Sequence, residues 1–459
     1  MIQAPLDGPV VDRRPASPWT DLAVRVAVLP LLAVYLGGPG QVLLASPQIP
    51  TWVRALLMAL VMVAIARPHW SPAVLIGIVP LLPVWPTVEP SLPRELVHLV
   101  VATQAIPWLV YRIAGRRGDG SSLSNGWALL TVVATVSLLV TLTPEPWRGL
   151  DLPHVWRQVQ AQMPAYIFGV DRALVPSALP EWTVIVDGLS CTLITGWATT
   201  RATRERILRA AGVAAIATAV FGMVQAATGI GLQHAWRVFD AGIVRINATY
   251  VDPNALAAFY TLVAPVIAGL ALRSSGWRRG AWAAAGGIVF VATVMTAGRA
   301  GLLALAAGAL VMVWLGLRRA LDAIDPSVFV RRHARRALRV SVATVVASIV
   351  TCTAVGTALD IRHEQQTSYL HTWLYTFNLR QPPDAIAKGR IAVWHVALTM
   401  IRERPLVGQG VGQAPLQFER VRAQLGIESL PPNAYLSPHN TYLLVTAELG
   451  LLGLGAFLL

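Results

Sequence analysis

Residues 280–317 read GAWAAAGGIVFVATVMTAGRAGLLALAAGALVMVWLGL, and this stretch decides the fold class of the chain. Arg299 is its one charged residue, at a turn between two apolar runs, 280–297 and 299–317. Each run is close to the ~20 residues that a helix needs to cross ~30 Å of hydrocarbon. Runs this long cross a bilayer as helices, because a helix satisfies its backbone hydrogen bonds within its own segment. The stretch therefore predicts two membrane-spanning helices joined by a very short turn.

The composition of the whole chain agrees with a membrane protein. Of its 459 residues, 55% are hydrophobic and 13% are charged, whereas a soluble globular protein is about one quarter charged. Twelve apolar runs approach the length of a membrane span. They lie at 22–37, 51–66, 71–86, 95–112, 125–142, 182–200, 207–230, 253–272, 280–297, 299–317, 340–358 and 441–459. We therefore predict an all-α polytopic membrane protein of about twelve transmembrane helices, a single membrane domain over residues 1–459.

The arginines indicate the topology. They cluster at Arg116-Arg117, Arg201–Arg209, Arg273–Arg279 and Arg318–Arg339, and with twelve spans all four clusters fall on one side. The positive-inside rule assigns that side, and the N-terminus with it, to the cytoplasm. The net charge of +14 is then explained by topology and by contact with anionic lipids. It does not indicate a nucleic-acid partner. The expected location is the cytoplasmic (inner) membrane, crossed many times.

Two long segments fall on the opposite, extracytoplasmic side, at 143–181 and 360–438. The second is expected to contain amphipathic helices that lie along the membrane surface, at Ala385–Glu403 and Gln413–Leu425. In the second helix Leu416 and Val421 form the apolar side. The chain ends inside an apolar run, at 451–459, which predicts that the natural protein continues beyond it.

The candidate catalytic residue is His439, which opens the last apolar run. A histidine here can exchange a proton near neutral pH, because its reference pKa is about 6.5. The alternative is an interfacial histidine that only hydrogen-bonds a helix end. Asn440, Tyr442 and Glu448 follow and place further polar groups in the outer half of the same helix, which favours a functional site.

Three arginines are candidate ligands for phosphate, because a guanidinium offers a planar fork of donors and stays charged. Arg390 lies one turn before Trp394 on the first amphipathic helix. Arg299 lies at membrane depth, where a charge is costly and is usually functional or paired. Arg245 comes shortly before the eighth span. The alternatives are a solvated helix face for Arg390 and snorkelling to lipid phosphates for Arg299. Asp252 and Asn254, around Pro253, are expected to cap the eighth span.

The sequence gives no sign of a metal site or of a cofactor. It contains no phosphate-binding loop motif, no zinc-protease motif and no Cys/His zinc spacing. Cys191 and Cys352 both lie in predicted spans and indicate neither a disulfide framework nor a thiolate metal site. We therefore expect chemistry that needs neither a metal nor a nucleotide.

These residues, taken in order, resemble the signature region of the O-antigen ligase and O-antigen polymerase superfamily. The resemblance covers about 245–455, and upstream it includes Asp252-Pro253-Asn254 and Gly298-Arg299-Ala-Gly301. The signature in this chain is Gly389-Arg390, Trp394, Pro405, Gly408, Gly410, Gly412, His439-Asn440, Tyr442, Glu448-Leu-Gly450 and Gly453.

The resemblance implies a glycosyltransferase-like membrane enzyme of about twelve helices. Such proteins move a glycan from a polyprenyl diphosphate carrier to an acceptor hydroxyl on the outer face of the cytoplasmic membrane. By position, His439 corresponds to the catalytic histidine of the family. Arg390 and Arg299 correspond to arginines thought to engage the diphosphate, and Arg245 is a looser match. Direct attack on the anomeric carbon would invert its configuration.

Several functions remain open on the sequence. A ligase would attach a finished polymer to a lipid A core or another terminal acceptor. A polymerase would extend a second lipid-linked repeat, and transfer to protein is a third variant. A polysaccharide or lipid transporter would instead carry internal symmetry and ionisable residues near the midplane. A non-catalytic assembly subunit would tolerate loss of all the candidate residues. The arrangement of the charges favours the transferase, and the histidine segment favours the ligase.

Overall fold

A computed structural model describes residues 31–84, 95–113, 125–143, 149, 151–168, 178–196, 201–230, 239–240, 243–250, 252–323, 354–355, 357–359, 378, 380–381, 390–427 and 438–459. The described helices are α1 (Pro39–Ala45), α2 (Thr51–Ala66), α3 (Ser71–Ile78), α4 (Leu96–Ile113), α5 (Asn125–Leu142), α6 (Leu152–Phe168), α7 (Ala178–Gly196), α8 (Arg201–Thr228), α9 (Pro253–Arg273), α10 (Trp277–Met295), α11 (Arg299–Ala323), α12 (Arg390–Glu403), α13 (Ala414–Gln424) and α14 (Thr441–Leu458).

The predicted all-α class is confirmed. Within the described residues, the strands amount to one antiparallel pair, β1 (Phe239–Asp240) and β2 (Ile243–Val244). Short 3₁₀ turns at Pro68–Trp70 and Val79–Val84 flank α3. Most predicted spans coincide with a helix, because long apolar runs contain few residues that end one.

The helices alone do not establish the number of membrane spans. Among the described residues, α8, α9 and α14 are long and apolar enough to cross a membrane. Helix α2 and the segment 68–82 form a pair bent by 112°, and together they count as a fourth span at most. The runs 22–37 and 340–358 lie largely outside the described residues. The total of twelve therefore stays a prediction, and so does the cytoplasmic position of the N-terminus.

The helices enclose three hydrophobic cores. Helices α1 to α7 surround the first, whose largest buried side chains include Tyr35, Leu99 and Met163. Helices α8, α9 and α10 form the second around Tyr260 and Val289. Helices α12, α13 and α14 form the third, in which apolar residues of all three contact one another.

Two of the arginine clusters lie at the same end of the second helix group. Arg273, at the end of α9, is 4.0 Å from Glu205 near the start of α8. Arg206 lies over the ring of Trp70, with its guanidinium carbon 5.2 Å from the ring centroid. At the other end of α9, the Ile246 N–H donates to the Met295 carbonyl over 3.1 Å. The segment around Arg245 is thus separated from these basic clusters by the length of a helix.

Helix α14 is broken at Gly450, whose backbone is left-handed with φ 66°. In a straight helix, residues 442 and 457 would be about 22 Å apart. Here the rings of Tyr442 and Phe457 meet edge to face, with centroids 5.9 Å apart. The two halves of α14 therefore bend sharply towards each other. Although α14 has the length and composition of a span, it does not run straight.

The break exposes backbone groups that would otherwise bond within the helix, and residues 405–410 satisfy them. The carbonyls of Pro405 and Leu406 accept from Leu451 and Leu452, over 2.8 and 3.3 Å. The N–H groups of Gln409 and Gly410 donate to the carbonyls of residues 447 and 448, both over 2.9 Å. A buried helix end without partners would be costly. We call residues 405–412 the glycine loop. This loop and the broken helix α14 are therefore one structural unit.

We expect Gly450→Ala to lower thermal stability by on the order of 2 kcal/mol or more. An alanine Cβ there would lie 2.2 Å from the Leu406 carbonyl oxygen, in a backbone conformation that disfavours side chains. Gly455→Ala is the matched control, since its Cβ would meet nothing within 4 Å. Thermal unfolding of both purified variants in detergent checks this. Equal melting temperatures for the two variants would contradict the account of the break.

Candidate functional site

Arg245 is buried and fixes the turn before α11. Its Nε–H donates to the Thr296 carbonyl over 2.8 Å, and one terminal N–H donates to the Asn254 side-chain oxygen over 3.2 Å. The side chain is 9% exposed. A guanidinium is tolerated at such a site because its donors reach oxygen acceptors. Arg245 therefore ties the start of α9 to the turn that carries Arg299.

The start of α9 has the predicted cap. The Asp252 side chain accepts from the Asn254 backbone N–H over 2.7 Å, and Pro253 is the first helical residue. Asn254 has a further contact that capping does not explain, since its side-chain oxygen accepts from Arg245. The cap was predicted from the sequence, whereas the contact of Asn254 with Arg245 was not.

Arg299 is the first residue of α11, and the structure describes its backbone but not its side chain. Two glycines around it allow α11 to approach α9 closely. A Cβ on Gly298 or Gly301 would lie 2.9 or 2.7 Å from the Cβ of Ala257. Small residues are required here, because a side chain at either position would clash with Ala257. The close packing brings the start of α11 beside the Asn254 end of α9.

His439 and Arg390 belong to a second cluster, at the starts of α14 and α12. The Trp394 indole N–H donates to the Pro438 carbonyl over 2.7 Å. This bond holds the first turn of α12 against the residue before His439. Asn440 caps α14, and its side chain accepts from the N–H groups of residues 442 and 443. His439 is exposed and Arg390 is half-buried, so both are accessible from outside the protein.

Strained backbone marks the same segments. Among the described residues, three that are not glycine have a left-handed backbone: Ala248 (φ 46°), Ala297 (φ 48°) and His439 (φ 47°). This conformation is uncommon outside glycine and costs on the order of 1–3 kcal/mol. Ala248 follows Arg245 by three residues, and Ala297 precedes Arg299 by two. Each strained residue therefore lies within a segment that the sequence analysis selected.

Glu448 has a structural position within the third core. Its two carboxylate oxygens accept from the backbone N–H groups of Gly412 and Ala414, over 3.0 and 3.4 Å. The side chain is 7% exposed. Glu448 therefore anchors the glycine loop and the start of α13. Tyr442, by contrast, is exposed and contacts Phe457.

Helices α12 and α13 are joined by charged and polar contacts. Arg420 donates to both carboxylate oxygens of Glu403, and this hydrogen bonding holds the pKa of Glu403 below its usual range. Helices lie at both predicted positions, with α12 described from Arg390 and α13 from Ala414; residues 385–389 lie outside the described residues. In α13, Val421 is buried as predicted, whereas Leu416 is 64% exposed because Phe418 takes the inward position.

The first core contains a buried polar network that was not predicted from the sequence. Asp187 on α7 is hydrogen-bonded to His98 on α4 and accepts from the Tyr35 hydroxyl over 2.7 Å. The other ring nitrogen of His98 lies 2.7 Å from the hydroxyl of Tyr166 on α6. An Asp and a His inside predicted spans were the available signal, since ionisable residues there are usually paired or functional.

The two clusters and the glycine loop lie mostly in the last part of the chain. Residues 284–458 match the family model of O-antigen ligase. The match confirms the resemblance and is consistent with the O-antigen ligase superfamily. No curated protein and no solved structure matches the chain at a significant level.

The O-antigen ligase match covers less than half of the chain. It includes Arg299, Arg390 and His439, together with the supporting residues Trp394, Asn440, Tyr442 and Glu448. Arg245 lies upstream of the match but is hydrogen-bonded to Thr296 within it. Among the described residues, no group of three or more His, Cys, Asp or Glu side chains is arranged to hold a metal ion. The match and the apolar helices together indicate an integral membrane protein of polysaccharide biosynthesis with glycosyltransferase-like activity.

We expect Glu448→Ala to destabilise the protein strongly and Glu448→Gln to do so less. Alanine leaves two buried N–H donors without an acceptor, at about 1–3 kcal/mol each, whereas glutamine keeps one oxygen for them. The measurement is thermal unfolding in detergent. Glu419→Gln is the control, because that carboxylate pairs with Arg422 near the surface and should matter little. An unchanged melting temperature for Glu448→Ala would refute the anchoring role.

Proposed function

We propose that this protein is an O-antigen ligase-like glycosyltransferase acting on the outer face of the cytoplasmic membrane. It would move a glycan from a polyprenyl diphosphate carrier, such as undecaprenyl diphosphate, to the hydroxyl of a lipid or glycan acceptor. The family match supports the broad class of activity. The donor, the mechanism and the side of the membrane are part of the proposal.

One observation carries the proposal to particular residues. The three non-glycine residues with left-handed backbone, among those described, are His439 and the neighbours of Arg245 and Arg299. Strain of this kind persists only where the surrounding structure imposes it, and it is concentrated at functional sites. Its coincidence with three segments chosen for their chemistry supports a common active site.

The proposed chemistry explains why arginines and a histidine are needed. No ATP is available outside the cytoplasm, so the bond energy must come from a leaving group activated beforehand. As the glycan leaves polyprenyl diphosphate, negative charge develops on the phosphate. Arg390 and Arg299 would stabilise that charge, and one preorganised contact of this kind contributes roughly 3–4 kcal/mol.

Arg245 takes a different role in this proposal from the one that the resemblance implied. Two of the donors in its guanidinium hold the Thr296 carbonyl and Asn254. We therefore propose that Arg245 mainly positions the turn that carries Arg299, and that contact with the diphosphate is secondary for it.

His439 would act as the general base. It would accept the proton of the acceptor hydroxyl while the oxygen attacks the anomeric carbon, and the carbon–phosphate oxygen bond would break with inversion. Such proton transfer contributes typically 10²–10⁴-fold to the rate. The Trp394 bond to the Pro438 carbonyl supports this assignment, because it holds the histidine beside the first turn of the Arg390 helix. The mechanism needs no metal ion and no cofactor.

The second candidate is a polymerase that joins lipid-linked repeat units. The same base and the same arginines would serve it, because the two reactions differ only in the acceptor. An assay with purified protein and a polyprenyl-diphosphate-linked glycan separates them by product. A ligase yields glycan on a terminal acceptor, whereas a polymerase yields a ladder of longer lipid-linked chains. A transporter would yield neither.

We expect His439→Ala to reduce glycan transfer by about 10²-fold or more. The control is His395→Ala. His395 is also an exposed histidine, but it lies on α12, next to Trp394. Transfer is measured with purified proteins of equal thermal stability. Undiminished transfer by His439→Ala would rule out its role as base.

We expect Arg390→Lys to reduce kcat/KM for the donor by about tenfold or more, because lysine keeps the charge but loses the planar fork. Arg402→Lys is the matched control, since Arg402 is exposed in the last turn of the same helix. Competition by a soluble diphosphate should weaken only in the Arg390 variant. Equal losses in the two variants would show that general surface charge, and not a diphosphate site, is involved.

A further inference from the structure

A cavity of about 560 Å³ lies between α5, the glycine loop and α14. Its size is within the range of small-molecule sites. It lies beside Glu448 and the break in α14 rather than at the starts of α12 and α14, where His439 and Arg390 are found. The residues that line it include Val136, Val140, Thr141, Arg404, Gln413 and Leu452.

One wall of the cavity is apolar and continues a strip of exposed apolar side chains on α5. Val132, Val136 and Val140 follow one another at helical spacing on α5 and are 59%, 51% and 45% exposed. Across the cavity, Val407 and Leu452 are also exposed. On an apolar helix such exposure is typical of contact with hydrocarbon chains.

The cavity also has polar lining groups, and some of them are already hydrogen-bonded. Ser137 accepts from the Val411 N–H over 2.8 Å, and the Gln409 amide donates to the Met400 carbonyl. Among the described residues, no hydrogen bond joins the side chains of Arg404, Gln413 or Thr141 to another group, although all three line the cavity. The neighbouring Arg420 and Arg422 are both paired with carboxylates. Among the described residues that line the cavity, Arg404 is the cation, and its charge also acts on the Glu403 carboxylate.

The apolar and polar lining residues of α5 differ in their position along the helix. Val132 and Val133 lie near the middle of this helix, whereas Thr141 is one residue from its end at Leu142. In a membrane-spanning helix the middle meets hydrocarbon and the end meets headgroups. If α5 spans the membrane, the valines near its middle lie at the depth of lipid chains and Thr141 lies near the depth of lipid phosphates.

We propose that this cavity binds an anionic phospholipid of the surrounding membrane. The acyl chain would lie along the α5 valines, and the phosphate would accept from Arg404, Gln413 and Thr141. A charged guanidinium and a phosphate form strong charge-assisted hydrogen bonds. A bound lipid would contact Gly408 and Gly410, and so stabilise the loop that closes the break in α14. The inference goes beyond the transferase activity and does not depend on it.

The test uses the full chain in nanodiscs of phosphatidylcholine containing phosphatidylglycerol with a photoreactive acyl chain. Labelled peptides are then identified by mass spectrometry. We expect labelling of α5 around Val136 and of α14 around Leu452. Arg404→Gln should reduce this labelling by about tenfold, as expected for the loss of a charge-assisted hydrogen bond. Arg402→Gln, two residues away on the exposed face, should leave it unchanged.

A second pair of variants tests the apolar wall. Val136→Trp fills the cavity and should abolish the labelling of α14, whereas Leu129→Trp adds the same bulk to an exposed position on α5 outside the cavity. Excess inorganic phosphate should not compete, and photoreactive phosphatidylcholine should label these peptides weakly. Equal labelling by the two lipids, or no change in Arg404→Gln, would overturn the proposal. Displacement by inorganic phosphate would show a site for free phosphate instead. Thermal unfolding verifies that each variant is folded.

Discussion

The broken helix α14 and the glycine loop that closes it constrain the rest of the third core. At Gly450 the helix loses its own hydrogen bonds, and the backbone between Pro405 and Gly410 supplies both acceptors and donors for the freed groups. This pairing is possible only at very short range, since a Cβ on Gly408 would lie 2.4 Å from the Glu448 backbone. Glu448 then fixes the next part of the loop through two N–H groups. The signature glycines and the glutamate are thus explained by backbone satisfaction in an apolar environment, where an unpaired group is costly.

The position of the candidate site follows from that unit. Because the loop is tied to the middle of α14, helix α12 must run beside the first half of α14, and its first turn reaches the residue before His439. The Trp394 indole completes this contact. The Arg245 cluster is built on different elements, the ends of α9, α10 and α11, and its rigidity comes from a buried guanidinium and from close glycine packing. The two groups of candidate residues are thus each braced by contacts of their own.

The first core has a different physical character. Most of it lies upstream of the matched region, and its interior contains the network of His98, Asp187, Tyr35 and Tyr166 in which the polar groups contact one another. Burial of ionisable groups is unfavourable unless they are paired, so the network requires the helical segment of Tyr35, α4, α6 and α7 to keep their relative positions. The α5 valines, on the outside of this core, form the wall of the proposed lipid site.

The sequence by itself determined the helical class, the positions of most helices, the cap at Asp252 and the resemblance to the O-antigen ligases. Each of these depends on local information: the length of an apolar run, a side chain next to a helix start, or a set of residue types in order. The residues around Arg245, Arg299, Arg390 and His439 were selected in the same way. Only the tertiary structure revealed the bend of α14, the pairing of the glycine loop with it, the contact of Arg245 with Thr296, and the buried network of Asp187. These features depend on backbone groups and side chains far apart in the chain, and a left-handed residue such as His439 leaves no mark in an apolar pattern. Hydrophobic patterns in the sequence specify which segments are helices. Hydrogen bonds between polar groups far apart in the chain specify how those helices pack against one another.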